Sequence, residues 1–173
     1  MSRNRIVVVL IAVVVVAGFV SGRISSGDDG GGVDGPALPD GARSALVQRV
    51  VDGDTVVLTG PGKVRLIGVD TPEVFGGREC FGPEASAYAK QTLDGVPVRY
   101  TVGREERDRY GRLLAYVWLR DGRSFNALLL ARGYARQLTI KPNDLYAPMF
   151  ARLARQARRS GAGLWGAGCP RAG

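Results

Sequence analysis

The sequence predicts an α+β fold: a five-stranded barrel with about three helices, preceded by a hydrophobic N-terminal helix. Three observations predict it. Short β-rich runs follow one another from Ala45, separated by Gly- or Pro-bearing turns. A stretch with helical spacing from Pro83 to Leu93 interrupts that series after its third strand. Two further helical stretches come after the last strand, the final one with arginines on its outer face.

Taken in order, the chain opens with Arg3 and Arg5, followed by an unbroken apolar run from Ile6 to Val20. As a helix this run rises about 22 Å, short of a ~30 Å hydrocarbon core, so residues 1–24 fall between a signal-peptide core and a short membrane anchor. No Ala-x-Ala pattern marks a cleavage site, and no cysteine follows that could carry a lipid. The expectation is an uncleaved anchor with the domain outside, and the alternative is secretion after cleavage. Either way Arg3 and Arg5 stay in the cytoplasm and the remainder is exported. Residues 25–44 read as a flexible Gly/Asp-rich linker, and the folded domain as 45–173.

Within the domain, Ala45–Val51 and Thr55–Thr59 flank Asp52-Gly53, a hairpin signal. Gly60–Gly62 turns the chain into a third strand, Lys63–Val69, which Thr71-Pro72 ends, giving an antiparallel meander. Pro83 opens a helix whose inner face is Ala85, Tyr88, Ala89, Thr92 and Leu93, and Gly95 stops it. Val96–Val102 and Leu113–Leu119 are two more strands around a charged loop, Gly103–Gly111. Ser124 caps a short helix through Ala131, closed by Gly133. Leu145, Met149, Phe150, Leu153, Ala154 and Ala157 mark a last helix, ended by Gly161. This order matches a small Greek-key barrel of the OB type, which often binds oligonucleotides but does not by itself fix a function.

Composition narrows the chemistry. The 173 residues include no histidine, which removes His-based triads, His-ligated metals and nucleases with a histidine base. Two cysteines cannot build a four-cysteine metal site; an even pair in an exported domain reads instead as a disulfide between Cys80 and Cys169, with two free buried thiols as the alternative. A bridge closing the 88-residue interval between them would stabilise by ~4–5 kcal/mol in the chain-entropy model. The net charge of +8 lies wholly in residues 45–173, mostly as arginine, the side chain that grips phosphate bidentately. Such a domain suits nucleic acid or an anionic membrane surface; the plainer reading is a solubilising surface.

Three stretches carry the candidate chemistry: Val51-Asp52-Gly53-Asp54-Thr55, Arg65 to Glu73, and Asp108-Arg109-Tyr110-Gly111-Arg112. Singly they read as a capped turn, a structural salt bridge and a solvated loop. A small barrel could bring them to one end. Two carboxylates about 4 Å apart repel by ~4 kcal/mol at an effective dielectric near 20, so such a cluster calls for a cation, and oxygen ligands alone favour Ca²⁺ or Mg²⁺. Arg65 and Arg112 could then hold phosphodiester oxygens, and a carboxylate left over could activate water.

Together with FGPEASAYAK, FNALLLARGYA and the final GLW, these stretches resemble the thermonuclease (staphylococcal nuclease-like) family over Leu46–Trp165. The resemblance implies an OB barrel with three helices and Ca²⁺-dependent cleavage of the P–O5′ bond of DNA or RNA, leaving 3′-phosphate ends. It implies that Asp54, Asp70 and the Thr71 backbone carbonyl ligate the metal, with Asp52 behind them. Glu73 would position or deprotonate water, and Arg65 and Arg112 would bind the scissile phosphate. Arg109, Tyr110 and Lys141 are candidate substrate contacts, and the family precedent is a monomer. Aligned on Lys141-Pro142-Asn143, Leu138 and Ile140 stand where the family's best-known member has tyrosines that stack on the nucleotide. Tyr110 and Tyr134 could compensate, with core packing the alternative for Tyr134. Rival functions are a barrel that grips nucleic acid without cutting it and a tethered adaptor for anionic polymers; the complete set of acids and arginines speaks for the enzyme.

Overall fold

The computed structural model describes residues 34–77, 79–166 and 168–169. The apolar run Ile6–Val20 and the first part of the linker lie outside the described residues, among which no helix is long and apolar enough to cross a membrane. Strands β1 (Arg43–Val50), β2 (Thr55–Leu58) and β3 (Gly62–Leu66) form the expected antiparallel meander. β4 is a two-residue strand, Val69–Asp70. Helix α1 (Gly82–Leu93) then leads to the hairpin of β5 (Pro97–Arg107) and β6 (Leu113–Trp118). β5 returns antiparallel to β1 and β6 runs parallel to β3, which closes the barrel in the order β1-β2-β3-β6-β5.

Alternation explains the barrel. Val47, Val56, Val64, Leu66 and Val98 point inward and are buried, while residues between them in the strands are more exposed. Outside it pack α2 (Phe125–Ala131), β7 (Arg136–Gln137), α3 (Ala147–Ser160) and a 3₁₀ turn, Gly163–Trp165. Ser124 accepts the Ala127 N–H as N-cap of α2, and Gly161 ends α3 in the left-handed conformation, both as their residue types require.

The structure departs from the expected elements in four places. The run Lys63–Val69 is not one strand: it breaks after Leu66, because Gly68 adopts a left-handed φ and lies where a Cβ would meet the Phe150 ring at 2.5 Å. Val69–Asp70 pairs instead with Arg136–Gln137. β5 continues through half of the expected charged loop, to Arg107, where the Asn143 side chain holds both the N–H and the carbonyl of Glu105. Leu145 is exposed and precedes α3 rather than packing on its inner face. Finally, the latter part of the linker is packed on the domain: Pro36 accepts the buried Trp118 indole N–H at 2.9 Å, Ala42 is buried, and β1 already begins at Arg43.

Candidate active site

The site is assembled around one guanidinium. Arg65 sits near the end of β3, in a strand position where a lysine could not make the same contacts. Its Nε lies 3.1 Å from Asp54 Oδ1, one terminal nitrogen donates to Asp70 Oδ1 at 3.0 Å, and the other donates to the carbonyls of Leu66 and Val69 at 2.7 Å each. The break in the strand at Gly68 is what turns the Val69 carbonyl and Asp70 back toward Arg65. Two of the predicted acids are thus brought to the same cation.

Asp54 is buried, and its second oxygen accepts the Thr71 N–H at 2.8 Å and the Thr71 hydroxyl at 2.9 Å. Burial raises the Asp54 carboxyl from 3.8 to about 6, against the opposing pull of Arg65 and the Thr71 N–H; the neighbouring Asp52 charge adds to the rise. Asp52 itself caps the turn, accepting the Asp54 N–H at 3.1 Å. Gly53 is required by packing: a Cβ there would stand 2.7 Å from the Thr71 side chain. The turn and the Asp70-Thr71 segment therefore meet backbone to side chain with no room between them. Asp70 is half exposed, and Glu73 is exposed just beyond Pro72. Among the described residues no three Asp, Glu, His or Cys side chains group closely enough to form a metal cluster of their own.

The third stretch forms an ordered turn rather than a solvated loop. Asp108 accepts the N–H groups of Tyr110 and Arg112 at 3.0 Å and pairs with Arg112 Nε at 2.6 Å. Burial opposes ionisation of Asp108, but these hydrogen bonds outweigh it and hold its carboxyl below the ordinary value. The Arg112 and Arg109 guanidinium carbons lie 5.4 and 4.8 Å from the centre of the exposed Tyr110 ring. Arg65, Arg109, Tyr110 and Arg112 line one groove of about 500 Å³, together with Leu138 and Ile140. Lys141 is exposed and does not line it. Tyr134 faces the interior side of the molecule, stacked between Tyr88 and Phe81 at centroid distances of 4.3 and 5.5 Å, so it cannot replace a base-stacking residue in the groove.

The family described as "Staphylococcal nuclease homologue" matches residues 63–167, more than half of the chain. The chain belongs to the staphylococcal nuclease family. Among its relatives, "Thermonuclease" of Staphylococcus intermedius is 41% identical over 128 residues, 70% of this chain and 76% of that protein. "Thermonuclease" of Staphylococcus hyicus is 39% identical over 125 residues, 69% of this chain and 73% of that protein. "Endonuclease YhcR" of Bacillus subtilis (strain 168) is 34% identical over 145 residues, 75% of this chain but only 12% of that longer protein.

For this staphylococcal nuclease homologue, several residues that shape the site escape a reading of motifs alone. Asp108 was visible as part of DRYGR, yet its role as the acid that aims Arg112 follows only from the turn geometry. The Thr71 hydroxyl and Gly53 act through each other and Asp54, a contact across 17 positions. Asn143 ties its segment, which also carries Leu138 and Ile140, to β5; in the sequence it stands out only as part of the Lys141-Pro142-Asn143 alignment point, with no sign of this contact.

Proposed function

We propose that this nuclease is an exported, Ca²⁺-dependent phosphodiesterase that cleaves DNA or RNA at the P–O5′ bond and leaves 3′-phosphate ends. The observation that carries this reading is the joint placement of Arg65 and Arg112 in one groove, with two carboxylates attached to Arg65. The Cys80–Cys169 disulfide, with Cα atoms 5.5 Å apart, supports an oxidising compartment.

The donors fit a hard divalent ion. Asp54 and Asp70 share one guanidinium, the Thr71 carbonyl is the next oxygen donor, and neither imidazole nor thiolate is present to select a softer metal. With only two carboxylates, the Thr71 carbonyl would complete the protein's share of the ligands, and water and substrate oxygens would have to supply the rest. Bound there, Ca²⁺ supplies positive charge next to the phosphate oxygens.

The chain's own residues do the rest. Arg112 grips the scissile phosphate in the groove, and Arg65 adds a second positive group beside it. Glu73 orients a water and takes its proton as the new P–O bond forms and the P–O5′ bond breaks; the leaving 5′ oxygen takes a proton from solvent. Charge that accumulates on the phosphate meets two guanidiniums held by carboxylates, Arg65 by Asp54 and Asp70 and Arg112 by Asp108, and of the two Arg112 needs little rearrangement at the moment of reaction. Arg109 and Tyr110 contact the flanking nucleotides.

The test is incubation of the purified full chain with plasmid DNA and with RNA, in Ca²⁺ or in chelator, followed by end-group analysis. Cleavage in Ca²⁺ alone with 3′-phosphate ends is expected. Binding without cleavage in either condition would overturn the assignment in favour of a binding module.

A further inference from the structure

We propose that the Cys80–Cys169 bridge and Glu79 act as positioning elements for Glu73, so that turnover depends on the redox state of the bridge. The inference rests on the reading of Glu73 as the base. Glu73 lies beyond the strand that carries Asp70, exposed, with no regular structure of its own. Its backbone is nevertheless clasped from residues 79–82. The Glu79 N–H donates to the Glu73 carbonyl at 3.0 Å, and the Glu73 N–H reaches the Glu79 carboxylate at 3.4 Å. Gly82 presses on the same carbonyl so closely that a Cβ would stand 2.5 Å from it.

Two anchors hold this clasp. The Glu79 carboxylate lies 3.5 Å from the Arg136 guanidinium, and Arg136 is the residue paired with Asp70 in the β4–β7 ladder. Through Glu79, the base and the candidate metal ligand are thus referred to the same strand pair. The second anchor is covalent: Cys80 follows Glu79 directly and is tied to Cys169 beyond the 3₁₀ turn. Phe81, the next residue, holds a left-handed φ of 72°, a conformation that costs a non-glycine residue on the order of 1 kcal/mol and persists only where its surroundings enforce it. Its ring is stacked on Tyr134. The bridge on one side and the stack on the other enforce that conformation.

Reduction by a dithiol adds two electrons and two protons, converts the bridge to two thiols, and leaves the dithiol as its own disulfide. The clasp then loses its covalent anchor, while the groove, Arg65 and Arg112 keep theirs. A misplacement of about 1 Å can cost a reaction up to ~10²-fold, so roughly a tenfold fall in kcat with KM within about twofold is the expected reading.

The experiment measures kcat and KM for DNA hydrolysis at saturating Ca²⁺ with the full chain in four forms: oxidised, dithiol-reduced, Cys80→Ser/Cys169→Ser, and Glu79→Gln with the bridge intact. Each is repeated in a Glu73→Gln background. Support is a fall in kcat that appears in the wild-type background and vanishes in the Glu73→Gln background. An equal fall in both backgrounds means general loosening and overturns the proposal, as does no fall in either. If Glu73→Gln itself leaves kcat intact, the base assignment fails, and the proposal with it. Should circular dichroism show the serine variant unfolded, Glu79→Gln decides by the same comparison.

Discussion

Asp54 makes the stability of the metal-free protein depend on pH in an unusual direction. Its carboxyl holds a proton up to about pH 6 in the folded protein, against 3.8 for an exposed aspartate, because burial penalises the charge more than Arg65 and Thr71 relieve it. Between those values the folded state carries the proton that the unfolded state has lost. The contribution of Asp54 is therefore fully present below about pH 4 and lost as pH rises through about 6. A rise of this size is worth roughly 3 kcal/mol, a large part of the stability of a small domain. Urea unfolding in chelator at intervals between pH 4 and pH 7, wild type against Asp54→Asn, isolates the effect. Other acids, including Asp108 with its lowered value, cancel in the difference. The stability of the variant relative to wild type is expected to climb by ~3 kcal/mol across the window, and excess Ca²⁺ should flatten the climb because it binds the ionised form. Parallel curves in chelator would refute the claim that Asp54 is ionised at a cost.

Loss of one preorganised donor or of the base removes about 10²-fold or more, so Arg112→Ala and Glu73→Gln should each lower kcat by at least ~10²-fold; rates within tenfold of wild type would defeat both roles. Arg65→Ala should lower the urea midpoint as well as activity, whereas Arg112→Ala should leave the midpoint nearly unchanged, since Arg65 holds two buried or half-buried carboxylates and two carbonyls and Arg112 holds only Asp108. Ile140→Tyr places a ring on the groove wall and should tighten binding of a short oligonucleotide by ~1–3 kcal/mol per stacked base, read by titration calorimetry; no gain would mean that the groove does not hold the base there.

Local chemistry made much of this fold legible in the sequence. Ser124, Gly161, Pro83 and Gly95 lie at the expected helix ends because caps and stops are decided within one turn. The strand pattern was legible for the same reason, up to the points where a distant residue intervenes. Phe150 lies 82 positions beyond Gly68, yet it requires the bend that splits β3 from β4. Asn143 extends β5 from 38 positions away, and Trp118 captures the linker at Pro36 from 82. The site divides likewise. Asp54, Asp70, Arg65 and Arg112 could be picked out by residue type and motif order, whereas Glu79 and Gly53 matter through contacts with residues distant in sequence, and Asp108 through a local turn whose closure on Arg112 only the geometry reveals.

The two arginines, alike in sequence, differ in what they have left to give. A guanidinium carries five N–H donors. Arg65 donates twice to main-chain carbonyls and once to Asp70, and its Nε rests in an ion pair with Asp54, which leaves a single N–H outside these contacts. Arg112 directs Nε to Asp108, its one hydrogen-bond partner among the described residues, so on the groove wall its terminal nitrogens keep their donors unspent beside the Tyr110 ring. Bidentate capture of a phosphate needs two parallel donors. Arg112 can supply them at once. Arg65 can do so only by letting go of Asp70, the half-exposed acid of the pair and the one most readily handed to a cation. Arg65 therefore serves first as the frame on which the acids are mounted; in the proposed reaction it would become a phosphate ligand to the extent that a cation arriving at Asp70 releases it. On that proposal Arg65 would be structural and catalytic at the same time because its donors are shared between the two tasks.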